Sequence, residues 1–230
     1  MKKNYEMDMC SGPILGKLLT FTIPLIFSGI LQLLFNAADV IVVGRFAGSQ
    51  SLAAVGSTTA LINLMINIFI GLSVGVNVIV ARYYGAKREK DVQDTIHTAM
   101  ALSIVSGLFL IVMGQLLSRP MLELMGTPDD VIDKSTIYMR IIFIGMPANM
   151  IYNFGSAILR AVGDTKRPLY FLTAAGVINV VLNLFFVIMF QMDVAGVALA
   201  TAISQAISAF LVILCLMESE GGLKLHLKDL

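Results

Sequence analysis

The sequence predicts an all-α fold, a polytopic transmembrane bundle of six helices. Three observations predict it. Of the 230 residues, 57% are hydrophobic and only 13% charged, against about 25% charged in a soluble domain. Mean hydropathy is +0.86. Six apolar runs, each long enough to cross the hydrocarbon core of a bilayer, are separated by short segments rich in glycine, proline and charge. Such a chain lacks the polar residues to cover a globule, so membrane lipid is its expected surrounding.

The runs fall at Leu18–Val43, Leu52–Ala81, Thr98–Leu117, Ile137–Leu159, Leu169–Phe190 and Val194–Met217. Breaker signals mark the connections: Gly44-Arg45 with Gly48, Gly85 to Asp94, Gly126-Thr127-Pro128 before Asp129 and Asp130, Gly163-Asp164, and Gln191 to Asp193. Pro24 in the first span and Pro147 in the fourth each remove a backbone donor, so each reads as a bend or hinge point. The start is not a cleavable signal, because Lys2 and Lys3 lead into polar Asn4, Glu6 and Asp8 and the apolar run from Leu18 is too long.

Orientation follows from Lys and Arg. Twelve of the sixteen fall on the side that holds both termini and the second and fourth loops. That side is expected to be cytoplasmic. Residues 1–17 then form a cytoplasmic tail, residues 18–217 the transmembrane lobe, and residues 218–230 the start of a cytoplasmic linker. The longest external loop, Ser118 to Thr136, reads as a solvated acidic loop carrying Glu123, Asp129, Asp130 and Asp133. His97 reads as an interfacial residue rather than a proton relay. Lys87-Arg88-Glu89-Lys90 reads as a topology determinant.

Composition also excludes. Net charge is +1, which gives nucleic acid nothing to bind. Cys10 and Cys215 suit neither a disulfide framework nor a metal cluster. No nucleophile, base and orienting group come together in the pattern, so the chain does not read as an enzyme. No cofactor is expected beyond a coupling ion.

Asp39 is the one acidic residue inside a predicted span. A carboxylate at the centre of a span costs roughly 2.5 kcal/mol or more, so something must solvate it or use it. With Ser28, Gln32 and Asn36 it forms a stripe within roughly 80° of one helix face. Other spans carry stripes as well: Thr59, Asn63, Asn67 and Asn77 in the second; Tyr138, Gly145, Asn149, Asn153, Ser156 and Arg160 in the fourth; Gly176, Asn179 and Asn183 in the fifth; Thr201, Gln205 and Ser208 in the sixth. Carboxamides seldom face lipid unpartnered. Two readings follow, interhelical hydrogen bonding or a hydrated cavity lined by Gln32, Asn36, Asn63, Asn67, Asn149, Asn153 and Gln205. At 1.5 Å per residue, Asp39, Asn179, Asn183 and Thr201 lie within about 10 Å of one another in depth, in the external half of the bilayer. A carboxylate, two amide oxygens and a hydroxyl suit a hard cation, so Na⁺ is a possible metal there. The carboxylate can equally take up a proton.

The segment Leu159-Arg160-Ala161-Val162-Gly163-Asp164-Thr165-Lys166-Arg167-Pro168 resembles the loop between helices four and five of the multidrug and toxic compound extrusion (MATE) family. The first span is similar to that family's first helix, through Pro24, Asn36, Asp39, Val43-Gly44 and Leu52-Ala53-Ala54. Asn179, Asn183, Ala200-Thr201 and Gln205 fit too. The resemblance runs from about Gly12 to the end and matches the N-terminal six-helix lobe of a twelve-helix, two-lobe transporter. It implies an antiporter of the plasma membrane that exports drugs or other, often cationic, small molecules in exchange for H⁺ or Na⁺. It implies a small-molecule substrate and a second six-helix lobe as partners, the latter a C-terminal half or another copy. By position it makes Asp39, Asn179 and Thr201 the cation site and Pro24 the bending proline. Asn183 departs from the pattern, since some members hold aspartate there. Two alternatives remain beside this one: a lipid-linked oligosaccharide flippase of the same superfamily, and a non-transporting half-length membrane protein.

Overall fold

The computed structural model describes residues 14–219 and 221–226. The tail residues Lys2, Lys3, Cys10 and Lys228 lie outside them. The described chain is helical throughout: α1 (Ile14–Val42), α2 (Ser49–Gly85), α3 (Glu89–Leu124), α4 (Asp129–Ile144), α5 (Met146–Ala161), α6 (Lys166–Leu184) and α7 (Asp193–Met217). A π-helical turn extends α1 over Val43–Ala47, and another extends α6 over Phe185–Met189. Five helices are long and apolar enough to cross a membrane. The pair α4 and α5, bent by 47° at its break, makes the sixth crossing.

Two expectations are corrected. The fourth span is not a single run over Ile137–Leu159 but this bent pair, which begins at Asp129. The break is at Gly145, two residues before Pro147. Because Pro147 sits in the first turn of α5, its missing donor costs that helix nothing. The loop Ser118 to Thr136 is also not a loop. α3 runs on to Leu124, and only residues 125–128 connect it to α4. Charge there marks where the apolar surface ends, not where the helix ends. Arg119 bonds Glu123 one turn on and Asp133 on α4, each at 3.0 Å. Asp129 and Asp130 sit in the first turn of α4, where the helix dipole favours acids. Pro24 does not end α1, which continues unbroken past it.

The turn between α5 and α6 follows from its sequence. Gly163 takes φ +84°, a conformation that other residues adopt at a cost. It closes α5 with bonds from its own N–H to Arg160 O (3.1 Å) and from Asp164 N–H to Leu159 O (3.0 Å). Asp164, fully buried, then starts α6 by accepting from the N–H groups of Lys166 and Arg167, both at 3.1 Å. It also pairs with the Arg167 side chain.

α5 is the hub. It packs against α3, α7 and α2, and Met150, Phe154, Ile158 and Leu159 on it are fully buried. Glycines admit its neighbours: a Cβ at Gly107 would strike Pro147, and one at Gly155 would strike Val212. α1 is peripheral, burying only Pro24 and Val42 and packing chiefly on α6. At the Lys- and Arg-rich end, the chain after α7 folds back onto α3. There the His226 N–H donates to His97 Nε2 at 3.1 Å, and the two imidazoles stack with centroids 6.2 Å apart.

The α1–α6 contact depends on Gly176, where a Cβ would enter the ring of Phe35. Gly176→Ala should destabilise the protein by about 1–3 kcal/mol, read as a lower melting temperature in detergent. Gly71→Ala, where a Cβ meets nothing within 4 Å, should be neutral or stabilise by up to about 1 kcal/mol. Equal melting temperatures for G176A and the parent would refute the contact.

Candidate functional site

The strongest polar cluster inside the bundle joins α1, α6 and α7. Asp39 lies three residues before the end of α1, on the stripe its spacing predicts. Asn183 lies on α6, one turn beyond Asn179, so both amides share a face. The Asn183 amide nitrogen donates to Asp39 Oδ1 and, at 3.2 Å, to Asn179 Oδ1. The Asn179 amide donates to the Thr201 hydroxyl at 3.2 Å, and that hydroxyl donates to Val197 O at 3.0 Å within α7. A continuous chain of hydrogen bonds therefore runs from the peripheral helix α1 through α6 into α7. Asn183 is fully buried and Asn179 nearly so.

One atom in this chain has no partner. Asn183 Oδ1 is buried and accepts no hydrogen bond. A buried acceptor left open costs about 1–3 kcal/mol. It lies on the amide that holds the Asp39 carboxylate. Asp39, Asn179, Asn183 and Thr201 thus bring carboxylate, amide and hydroxyl oxygens into one hydrogen-bonded chain, with one negative charge when Asp39 is ionised. Such a set can hold a small hard monovalent cation.

The remaining predicted residues are distributed differently. Gln32 and Asn36 on α1, and Asn63 and Asn67 on α2, are exposed on the surface of this bundle and do not join Asp39. Asn77 ties α2 to α5 by donating to Ala157 O at 2.7 Å. Asn149 and Asn153 pair with each other, the Asn153 amide donating to Asn149 Oδ1 at 2.9 Å. Gln205 is half-buried on α7. Pro24 is buried, and its carbonyl accepts from Ser28 Oγ at 2.9 Å.

Sequence reasoning missed three features of the site. Tyr138, nearly buried on α4, is close enough for the Asp39 charge to act on its hydroxyl; its place in the fourth-span stripe was the available signal. The two π-helical turns begin just after Asp39 and Asn183 and touch each other, a local winding that often accompanies functional positions. Neither carries a sequence signal. Toward the end opposite the basic loops, Lys134 Nζ donates to Asp193 at 2.6 Å and to Ser51 Oγ at 3.2 Å, and Ser51 Oγ also bonds Asp193. This cluster joins α2, α4 and α7 through charged residues that the sequence places between the spans.

Apolar helices long enough to cross a membrane, with a half-buried carboxylate held by an amide of a second helix and linked through it to a third, define a polytopic membrane bundle. The chain belongs to the MatE family, whose profile matches residues 24–185. It is 35% identical over 198 residues to "Probable multidrug resistance protein YoeA" of Bacillus subtilis (strain 168), covering 84% of this chain and 42% of that protein. It is 32% identical over 201 residues to "Probable multidrug resistance protein YpnP" of the same organism, covering 87% and 45%. It superposes on a crystal structure of MATE in the bent conformation with a TM-score of 0.86 and 25% identity, over 93% of this chain and 48% of that one. The chain thus spans less than half the length of these relatives. It is a multi-pass membrane protein with the fold of one MATE lobe.

The Asn179–Thr201 bond should register as a coupling. A double-mutant cycle of Asn179→Ala and Thr201→Val, read from unfolding in detergent, should return about 0.6 kcal/mol and at most about 1.7 kcal/mol. Additive effects would show that the bond contributes nothing.

Proposed function

We propose that this chain forms one lobe of a cation-coupled antiporter that exports drugs or other small molecules by alternating access. In this reading Asp39, Asn179, Asn183 and Thr201 bind the coupling ion, H⁺ or Na⁺, and a second lobe, a C-terminal half or another copy, completes the pathway. Both termini then face the cytoplasm at the plasma membrane, as the Lys and Arg bias implies.

One observation carries the proposal. The Asp39 carboxylate is held by a buried amide whose own oxygen is unpartnered. A buried acceptor left open is costly to keep for a structural tie alone. A cation at this locus would draw Asn183 Oδ1 and the carboxylate together, while a proton on Asp39 would turn the carboxylate into a donor for that oxygen. Either event rewrites the bonds between α1 and α6. An ion shifts a conformational equilibrium only through its different affinity for the two states, and this contact between a peripheral helix and the bundle can supply that difference. The names of YoeA and YpnP support drugs as the exported class.

Replacing Asp39 with Asn in the native gene product should abolish efflux driven by an imposed Na⁺ or pH gradient in proteoliposomes while leaving expression intact. Undiminished gradient-driven efflux by D39N would sink the proposal. Driving the parent with Na⁺ at fixed pH, and with a pH gradient in the absence of Na⁺, assigns the coupling ion.

A further inference from the structure

Half of α5 is buried, and its half-buried positions divide evenly between apolar and polar residues. Asn149, Tyr152, Asn153 and Arg160 are each half-buried, and Ser156 lies beneath them. At 100° per residue the five fall within roughly 100° of one face, and Arg160 projects between Asn149 and Asn153 some 16 Å further along the helix. The stripe therefore leads from mid-bundle to the basic end, where Arg160 occupies the last turn of α5.

Arg160 has no counter-charge among the described residues. Its Nε donates to Ser156 O at 3.1 Å, which anchors the side chain along its own helix. The nearest carboxylate in sequence, Asp164, is fully buried and is taken by Arg167 and by two backbone N–H groups. The other described ion pairs use Asp91, Glu123, Asp133 and Asp193. A guanidinium carries five N–H donors, so about four remain for another partner. Beside it stands a second, independent signal. The Ser156 hydroxyl is buried and has no hydrogen-bond partner, although it lies next to the Tyr152 hydroxyl. Tyr152 itself donates to Pro168 O at 3.1 Å. A snorkelling arginine at a helix end would account for the charge, but not for the unused buried hydroxyl one turn away. Donors gathered without an acceptor are the arrangement that binds a carboxylate or phosphate, for which the planar guanidinium fork is suited.

We propose that Arg160 and Ser156 form an oxyanion-binding station at the basic end of the open face of α5, which receives a carboxylate or phosphate group. The group belongs either to a transported solute or to a lipid headgroup, and the chemistry is the same for both. The station refines the transport reading and rests on it. It adds an anionic class to substrates otherwise expected to be cationic, and it places their negative group at the basic end, well away from Asp39.

The test uses the native gene product in phosphatidylcholine nanodiscs, with carboxyfluorescein as the anionic probe and rhodamine 6G as the cationic one. Arg160→Gln should weaken carboxyfluorescein binding about tenfold or more, the loss of roughly one charge-assisted pair. Arg160→Lys, which keeps the charge but loses the planar fork, should bind between the parent and R160Q, and rhodamine 6G binding should stay within about twofold in both variants. If phosphatidylglycerol added to the nanodiscs displaces carboxyfluorescein from the parent but does not bind R160Q, the station serves a headgroup; if it leaves binding unchanged, the station serves a solute. Equal carboxyfluorescein binding by R160Q and the parent overturns the proposal. So does an equal loss of both dyes, which would mark Arg160 as structural. If the export reading itself fails, rhodamine 6G fails to bind even the parent, and the anionic arm remains readable.

Discussion

The fold depends on how closely helices can approach α5. In lipid the hydrophobic effect does not drive helices together, so association rests on van der Waals contact and on small residues that let backbones meet. Gly107 admits Pro147, Gly114 admits Phe143, and Gly155 admits Val212. Two of these contacts seat α3 and α7 on α5 and the third seats α3 on α4, and together they set the dense interior of Phe143, Met146, Met150, Phe154 and Ile158. The bend at Gly145 serves the same end. It lets one crossing turn by 47° so that α4 and α5 can each present a full apolar face to that interior.

α1 is held by a different kind of interaction. It buries almost nothing, yet its one carboxylate is bonded to an amide on α6, and that amide is linked through Asn179 to α7. Segments with few buried contacts open at the least cost, and here such a segment carries the carboxylate of the polar cluster. The polar tie of the lobe therefore lies at its most exposed helix, while α5 and its neighbours supply the packed frame. The lobe also separates its charges. Asp39 faces α6 and α7 at one end of the bundle, and Arg160 stands without a counter-charge among the described residues at the other. The carboxylate Asp164 is spent on capping α6 and pairing Arg167.

The chain by itself determined the number and order of the crossings, because a bilayer requires about 20 apolar residues for each, and the composition satisfies this six times. It also determined that Asp39, Asn179, Asn183 and Thr201 share a depth, since helical rise is constant. Other features had no local cause to read. Whether charged segments such as Ser118 to Thr136 are loop or helix is decided by which of their residues find burial, here Leu122, Val131 and Ile132 packed into the bundle. Whether a polar stripe is interhelical tie or open surface is decided by which helix lies opposite. Asn77 meets the carbonyl of Ala157 and is consumed, whereas Gln32, Asn36, Asn63 and Asn67, on equally regular stripes, meet no such neighbour within this bundle and stay exposed. Periodicity gives each helix a face; only packing gives that face a partner, and the partner decides whether an amide, a carboxylate or a guanidinium is satisfied or left available to a ligand.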